Sequence, residues 1–173
     1  CGAFDGPDRN GRGAMMEYAD VLRWAHVIGA SVLLGTGAGI AFFMLMATRT
    51  GDAKIVAHTA STVVMADWLF TASAVVLQPI TGILLASAVG WDLSEGWIVV
   101  SLALYFVTGA FWLPVVWIQL RLRDIARAAY QQGSALPDNY YTLFQIWFVC
   151  GFPAFAAVLG IFWLMLTRPD LSF

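Results

Sequence analysis

Three ionisable residues, His26, His58 and Asp67, stand in or against long apolar runs. His26 lies one turn inside "RWAHVIGASVLLGTGAGIAFF", Arg23 to Phe43, which is otherwise almost wholly apolar after its arginine. Asp67 stands in "VVMADWLFT", and His58 follows the charged stretch "TRTGDAK". An ionisable side chain in lipid is costly, so each marks a functional site by default. Neutral imidazole is the commonest biological metal ligand, and haem iron accepts it readily.

Counting by three and four from His26 gives a stripe of Gly29, Ala30, Leu33, Gly37, Ile40 and Met44. Small residues beside an imidazole admit a second helix at close range. They equally admit a flat macrocycle. His26 therefore has three readings: an axial ligand of haem iron or another metal, a proton or quinone site, or a neutral histidine hydrogen-bonded across two helices. In the haem reading Gly29 supplies room, and the sixth position would be taken by Met165, Tyr105, water or nothing. His58 cannot share a haem with His26. From His26 to the end of the first apolar run near Ala47 the chain climbs roughly 30 Å of helix, which places His58 at the opposite surface as a solvated residue.

Asp67 has two readings. If its helix begins at Trp68, Asp67 sits at an interface, where a carboxylate suits the helix dipole and can pair with Arg121 or Arg123. If the helix begins near Ala57, Asp67 is deeper and the functional reading gains. Gln78, Gln119, Tyr105 and the hydroxyls of Ser31, Thr36, Thr71 and Thr81 are weaker candidates, since such hydroxyls often bond back to the carbonyl four residues earlier. No catalytic set is defined by residue type and spacing. Cys1 and Cys150 offer no disulfide framework, and no Met-x-x-Met or Cys-His cluster suggests copper transport.

The elements that hold these residues are membrane spans. Of 173 residues 60% are hydrophobic and 12% charged, against about 45–50% and about 25% in a soluble domain; mean hydropathy is +0.76. A span needs about 20 apolar residues. Four stretches qualify: roughly 21–47, 61–89 (or from 68), 97–120 and 143–166. The runs are continuous rather than alternating, which excludes a β-barrel. The chain reads as an all-α, four-helix transmembrane bundle in one domain, 16–173, after a leader, 1–15, rich in Gly, Asp and Arg that reads as disordered or as residue upstream of a start at Met15 or Met16. The net charge of −2 and the lack of a basic block give no sign of a nucleic-acid partner.

Arg49 and Lys54 mark the first connection, and Arg121, Arg123 and Arg127 the third; the second has no Lys or Arg. The positive-inside rule then places both termini outside. Proline enters three helices, at 79, 114 and 153, each freeing a carbonyl about a turn earlier; Gln78 is placed to satisfy the one before Pro79. Trp24, Trp91, Trp97 and Trp163 fall near the outer surface and Trp68 and Trp117 near the inner one, as aromatic belts predict.

The blocks "LRWAHVIGASVLLGTGAGIAFFM", "VVMADWLFTASAVVLQPITG", "WLPVVWIQLRLRDIA" and "GFPAFAAVLGIFWLMLTRP" resemble a bacterial family of predicted integral membrane proteins, domain of unknown function 2269. The resemblance covers nearly all of Met16 to Pro169. The opening "RWAHVIGASVLLG" is also similar to the first helix of the copper-resistance CopD proteins and of the membrane protoporphyrinogen oxidase HemJ. Those relatives imply a histidine near the start of the first helix and, for the oxidase, haem b. Only His26 carries across. No lysine lies within any span, which speaks against lysine-dependent oxidase chemistry.

The sequence thus predicts a multi-pass protein of the bacterial inner membrane. It would be a haem- or quinone-associated redox or accessory protein using His26. The alternative is a non-catalytic subunit or small-solute permeation element with His26 purely structural. Its surroundings would be the lipid bilayer, with a membrane protein partner or a second copy as further candidates.

Overall fold

The computed structural model describes residues 9–171, and every element in it is helical. Helix α1 runs Arg9–Thr50. Helix α2 runs Ala53–Val89, and is interrupted by one π turn at Asp67–Thr71. Helices α3 and α4 run Gly96–Gln131 and Asp138–Thr167. All four are long and apolar enough to cross a membrane. The four spans of the sequence are therefore present, but each helix outruns its apolar run.

The overrun has a physical reason. Hydropathy marks only the part that needs lipid, whereas alanine-rich stretches such as "AKIVAHTAS" and "RDIARAAY" continue a helix through water-facing turns. The second helix accordingly starts at Ala53, before both expected starts, 61 and 68. Asp52 caps it, its carboxylate accepting from the Lys54 amide at 2.8 Å. Helix α1 is described from Arg9 onward. Of the leader expected over 1–15, residues 1–8 lie outside the described residues.

The 36 residues of α3 reach about 54 Å at 1.5 Å per residue, against a hydrocarbon layer of about 30 Å. The excess lies at the end that carries Arg49, Lys54, Arg123 and Arg127, here termed the basic end. The opposite, amino end carries the connection 90–95 and the C-terminal turn. The basic end holds the close-packed core: Met44, Val56, Ala60, Leu122, Ala126 and Tyr140 are buried together. The Thr48 and Tyr140 hydroxyls pair there at 2.9 Å. Lipid-facing side chains cover the rest, Phe106 being 72% and Leu166 79% exposed.

Toward the amino end the bundle divides. The second half of α2 packs against α1, and α3 packs against α4, but the backbones of α3 and the second half of α2 do not approach closely. The two helix pairs diverge, and the space between them is the first of two cavities. The expected belt is only partly present. Trp24, Trp163, Trp68 and Trp117 are exposed as a belt requires, but Trp97 is buried and Trp91 half-buried. These two pack edge to face at 5.3 Å, with the Arg168 guanidinium 4.5 Å above Trp91. They close the cavity's outer end instead of facing lipid.

Candidate functional site

The amino-end cavity, about 410 Å³, is walled by all four helices and includes His26, Gln78, Gly82, Tyr105 and Met165. Helix periodicity explains the α1 contribution, since Ala30 and Leu33 follow His26 on one face. Gly82 on α2 provides the floor beneath the imidazole: a Cβ there would stand 3.1 Å from Cε1 of His26. His26, Met165 and Tyr105 all line this cavity. The structure does not place Gly29 with them. A Cβ at Gly29 would meet Nε2 of Gln78 at 2.5 Å, so this glycine makes room for a neighbouring side chain rather than for a macrocycle. The room-giving glycine is Gly82, on a helix that the sequence did not connect with His26.

Hydrogen bonds hold the ring in place. Nδ1 of His26 lies 2.9 Å from the Thr81 hydroxyl. That hydroxyl has one proton, and the carbonyl of Leu77 stands at 2.8 Å, with Gln78's carbonyl at 3.2 Å. With that proton directed to Leu77, Thr81 accepts from Nδ1–H and the lone pair of neutral His26 is on Nε2; with it turned to Nδ1, the tautomer is reversed. The partner of one ring nitrogen decides the role of the other in this way at metal-binding histidines. The Gln78 amide donates to the main-chain carbonyl of His26 at 2.9 Å, a second tie between α1 and α2.

Gln78 is thereby unavailable to the carbonyl that Pro79 releases. Tyr105 takes it: its hydroxyl donates to Val75 at 2.8 Å, across the gap between α3 and α2. His58 is exposed on the first turns of α2 at the basic end, where the solvated reading put it.

Asp67 departs from its expected setting. It lies in mid-helix, buried to 6% exposure, and makes no ion pair with Arg121 or Arg123. Arg121 stands 5.4 Å over the Trp117 ring, and Arg123 binds its neighbour Asp124 at 2.8 Å. The cause is the earlier start of α2, which carries Asp67 inward from the arginines. The missed signal was periodic: Val56, Ala57, Ala60, Val63 and Val64 form one buried helical stripe that leads into Asp67. Asp67 lines a second cavity of about 290 Å³ toward the basic end. The two cavities share Leu33, Thr71, Thr108, Trp112 and Val158 as a common wall. Among the described residues no group of three His, Cys, Asp or Glu side chains could hold a metal ion.

Four apolar helices around two partly open cavities define a polytopic integral membrane protein. Residues 20–169 match the family model described as "Predicted integral membrane protein (DUF2269)", and the chain belongs to that family. No curated protein and no solved structure matches.

Proposed function

We propose that the chain is a redox or accessory protein of the bacterial inner membrane, with both termini outside, that holds haem b in the amino-end cavity. Nε2 of His26 and the Met165 side chain would be the residues that hold it. The observation that supports this reading most is the 2.9 Å contact of Nδ1 with Thr81, which in the Nδ1–H tautomer leaves Nε2 as a lone pair in an apolar cavity. The volume lies in the range of about 300–1,000 Å³ typical of small-molecule sites, and a His/Met pair is a known haem donor set. Haem would supply one-electron chemistry. The chain's own contribution is to orient the imidazole through Thr81, to seat it on Gly82 and to exclude water with Trp91 and Trp97.

The test is the visible spectrum of protein purified from haem-replete cells. A Soret band that disappears in His26→Ala and persists in His58→Ala is expected. A colourless, stable protein overturns the haem reading. The same lone pair could accept a quinol hydroxyl, so a short-chain quinone added to the colourless protein, with His26→Ala as control, separates that case.

The orientation rests on the Lys/Arg bias of the connections. With Cys1 and Cys150 replaced by serine, cysteines at Lys54 and Gln132 should resist an impermeant maleimide in intact cells, and one at Ser94 should label. The reverse pattern rejects the orientation.

A non-catalytic subunit or permeation element is the second reading. It is favoured by the Gln78 bond to the His26 carbonyl, which makes this part of α1 a structural staple in its own right. In that case His26→Gln should cost no more than about 1–2 kcal/mol, the scale of an interhelical hydrogen bond in lipid, and the protein should be colourless.

A further inference from the structure

We propose that the cavity around Asp67 is a binding site for a lipophilic organic ammonium ion, a cation with an alkyl or aryl surface, in the basic half of the bundle. The proposal is independent of any cofactor at His26.

The carboxylate comes first. Among the cavity's lining residues Asp67 alone is ionisable. It is 6% exposed, and no Lys, Arg or His joins it there, because Arg121 and Arg123 are engaged with Trp117 and Asp124. A carboxylate taken out of water either takes up a proton or is paired with a cation. The described chain supplies no cation, so a bound one would complete the site.

The surrounding polar atoms are also unfinished. Trp147 is 4% exposed. Thr71 and Trp112 are the side-chain hydrogen-bonding neighbours of the Asp67 carboxylate, whereas the Trp147 indole N–H has no partner. Buried polar groups are normally satisfied, and exceptions call for an explanation such as a ligand. Here the Trp147 N–H lines one cavity with a buried carboxylate and its two donors, Thr71 and Trp112.

The backbone is unusual at the same place. Asp67 opens the π turn, and the Ala72 amide reaches back to its carbonyl. Single π turns within α-helices occur often at functional sites. Across this turn Asp67 and Thr71 are buried, while Trp68, Leu69 and Phe70 face outward.

The walls select the class of cation. They are aromatic on the α3 and α4 sides, with Trp112, Trp147, Phe148, Phe152 and Phe155. Aromatic faces attract cations, and do so more strongly away from water. A hard inorganic ion such as Ca²⁺ needs about 6–8 oxygen ligands, which one carboxylate, one threonine and Gln119 do not provide. An ammonium ion with apolar substituents matches the carboxylate and the aromatic walls together. Gly37 and Gly151 line the cavity, and a Cβ at either would meet nothing within 4 Å. They keep space open that a larger side chain could fill without displacing the fold.

The probe is phenyltrimethylammonium, with tert-butylbenzene as its neutral isostere, measured by equilibrium dialysis against the full-length protein in a non-ionic detergent. Saturable binding of the cation at one site per chain is expected, weakened at least tenfold in Asp67→Asn. Binding of the neutral isostere should change little in that variant. Gly37→Leu should abolish cation binding while circular dichroism and the melting temperature remain those of the parent, which guards against misfolding of the aspartate variant. His26→Ala should retain cation binding, so failure of the haem reading and failure of this one are distinguishable. Equal affinity of the parent and Asp67→Asn for the cation, or undiminished binding in a folded Gly37→Leu, would overturn the proposal.

Discussion

The Tyr105 hydroxyl donates to the carbonyl of Val75, the acceptor deprived of its helical donor four residues later by Pro79. Proline inside a membrane helix is tolerated where a neighbour re-satisfies the freed carbonyl. Here the neighbour is a long side chain from α3, reaching across the interval where the two helix pairs diverge. One bond thus repairs α2 and ties the pairs together at the cavity wall.

This relationship predicts a non-additive cycle. Tyr105→Phe should destabilise the protein by about 0.6–1.7 kcal/mol, the measured range for interhelical hydrogen bonds in a membrane protein. Pro79→Ala restores an amide proton to the Val75 carbonyl, so Tyr105→Phe should cost less in that background. Equilibrium unfolding in mixed micelles measures both. Equal costs of Tyr105→Phe in the two backgrounds would show that Pro79 does not create the need for the tyrosine.

The number and type of elements were legible in the sequence because a span is written as an uninterrupted apolar run. The cavities were not, because they arise from the angle between helix pairs, which no single segment encodes. His26 shows the division clearly. Its apolar run, its neighbours Ala30 and Leu33 and its distance from His58 could all be read by counting. Its partners Thr81 and Gly82 could not, since nothing in α1 fixes the register of α2 against it. Asp67 misled for a different reason. An aspartate beside a tryptophan looks interfacial, and the lower hydropathy of "AKIVAHTAST" concealed that the helix was already under way.

The two ends of the bundle should differ in their tolerance to truncation. Leu122 is fully buried in the basic-end core, whereas Leu113, on the same helix, is 64% exposed toward lipid. Removing a buried leucine costs about 2–5 kcal/mol through lost transfer energy and the cavity left behind. Leu113→Ala loses few protein contacts and should stay within about 0.5 kcal/mol, as surface substitutions usually do. Similar losses for the two variants in the same unfolding experiment would place the stabilising core elsewhere.

Arg121 offers the last test, because its partner is an aromatic ring and not a carboxylate. It stands 5.4 Å from the centroid of Trp117, and that ring is exposed, so a cation–π contribution of about 0.5–1 kcal/mol is expected. A double-mutant cycle of Arg121→Gln with Trp117→Leu should return a coupling energy of that size. The cycle of Arg121→Gln with Asp67→Asn should be additive within about 0.3–0.5 kcal/mol, as for sites with no shared partner. An ion pair between Asp67 and Arg121 would reverse the pattern: the aspartate cycle would couple strongly, since removing one partner of a buried pair leaves an uncompensated charge. The two cycles share one variant and one assay, so measuring them together decides which residue holds Arg121. The answer also decides whether Asp67 is left without a cationic partner from the chain, as the ammonium site requires.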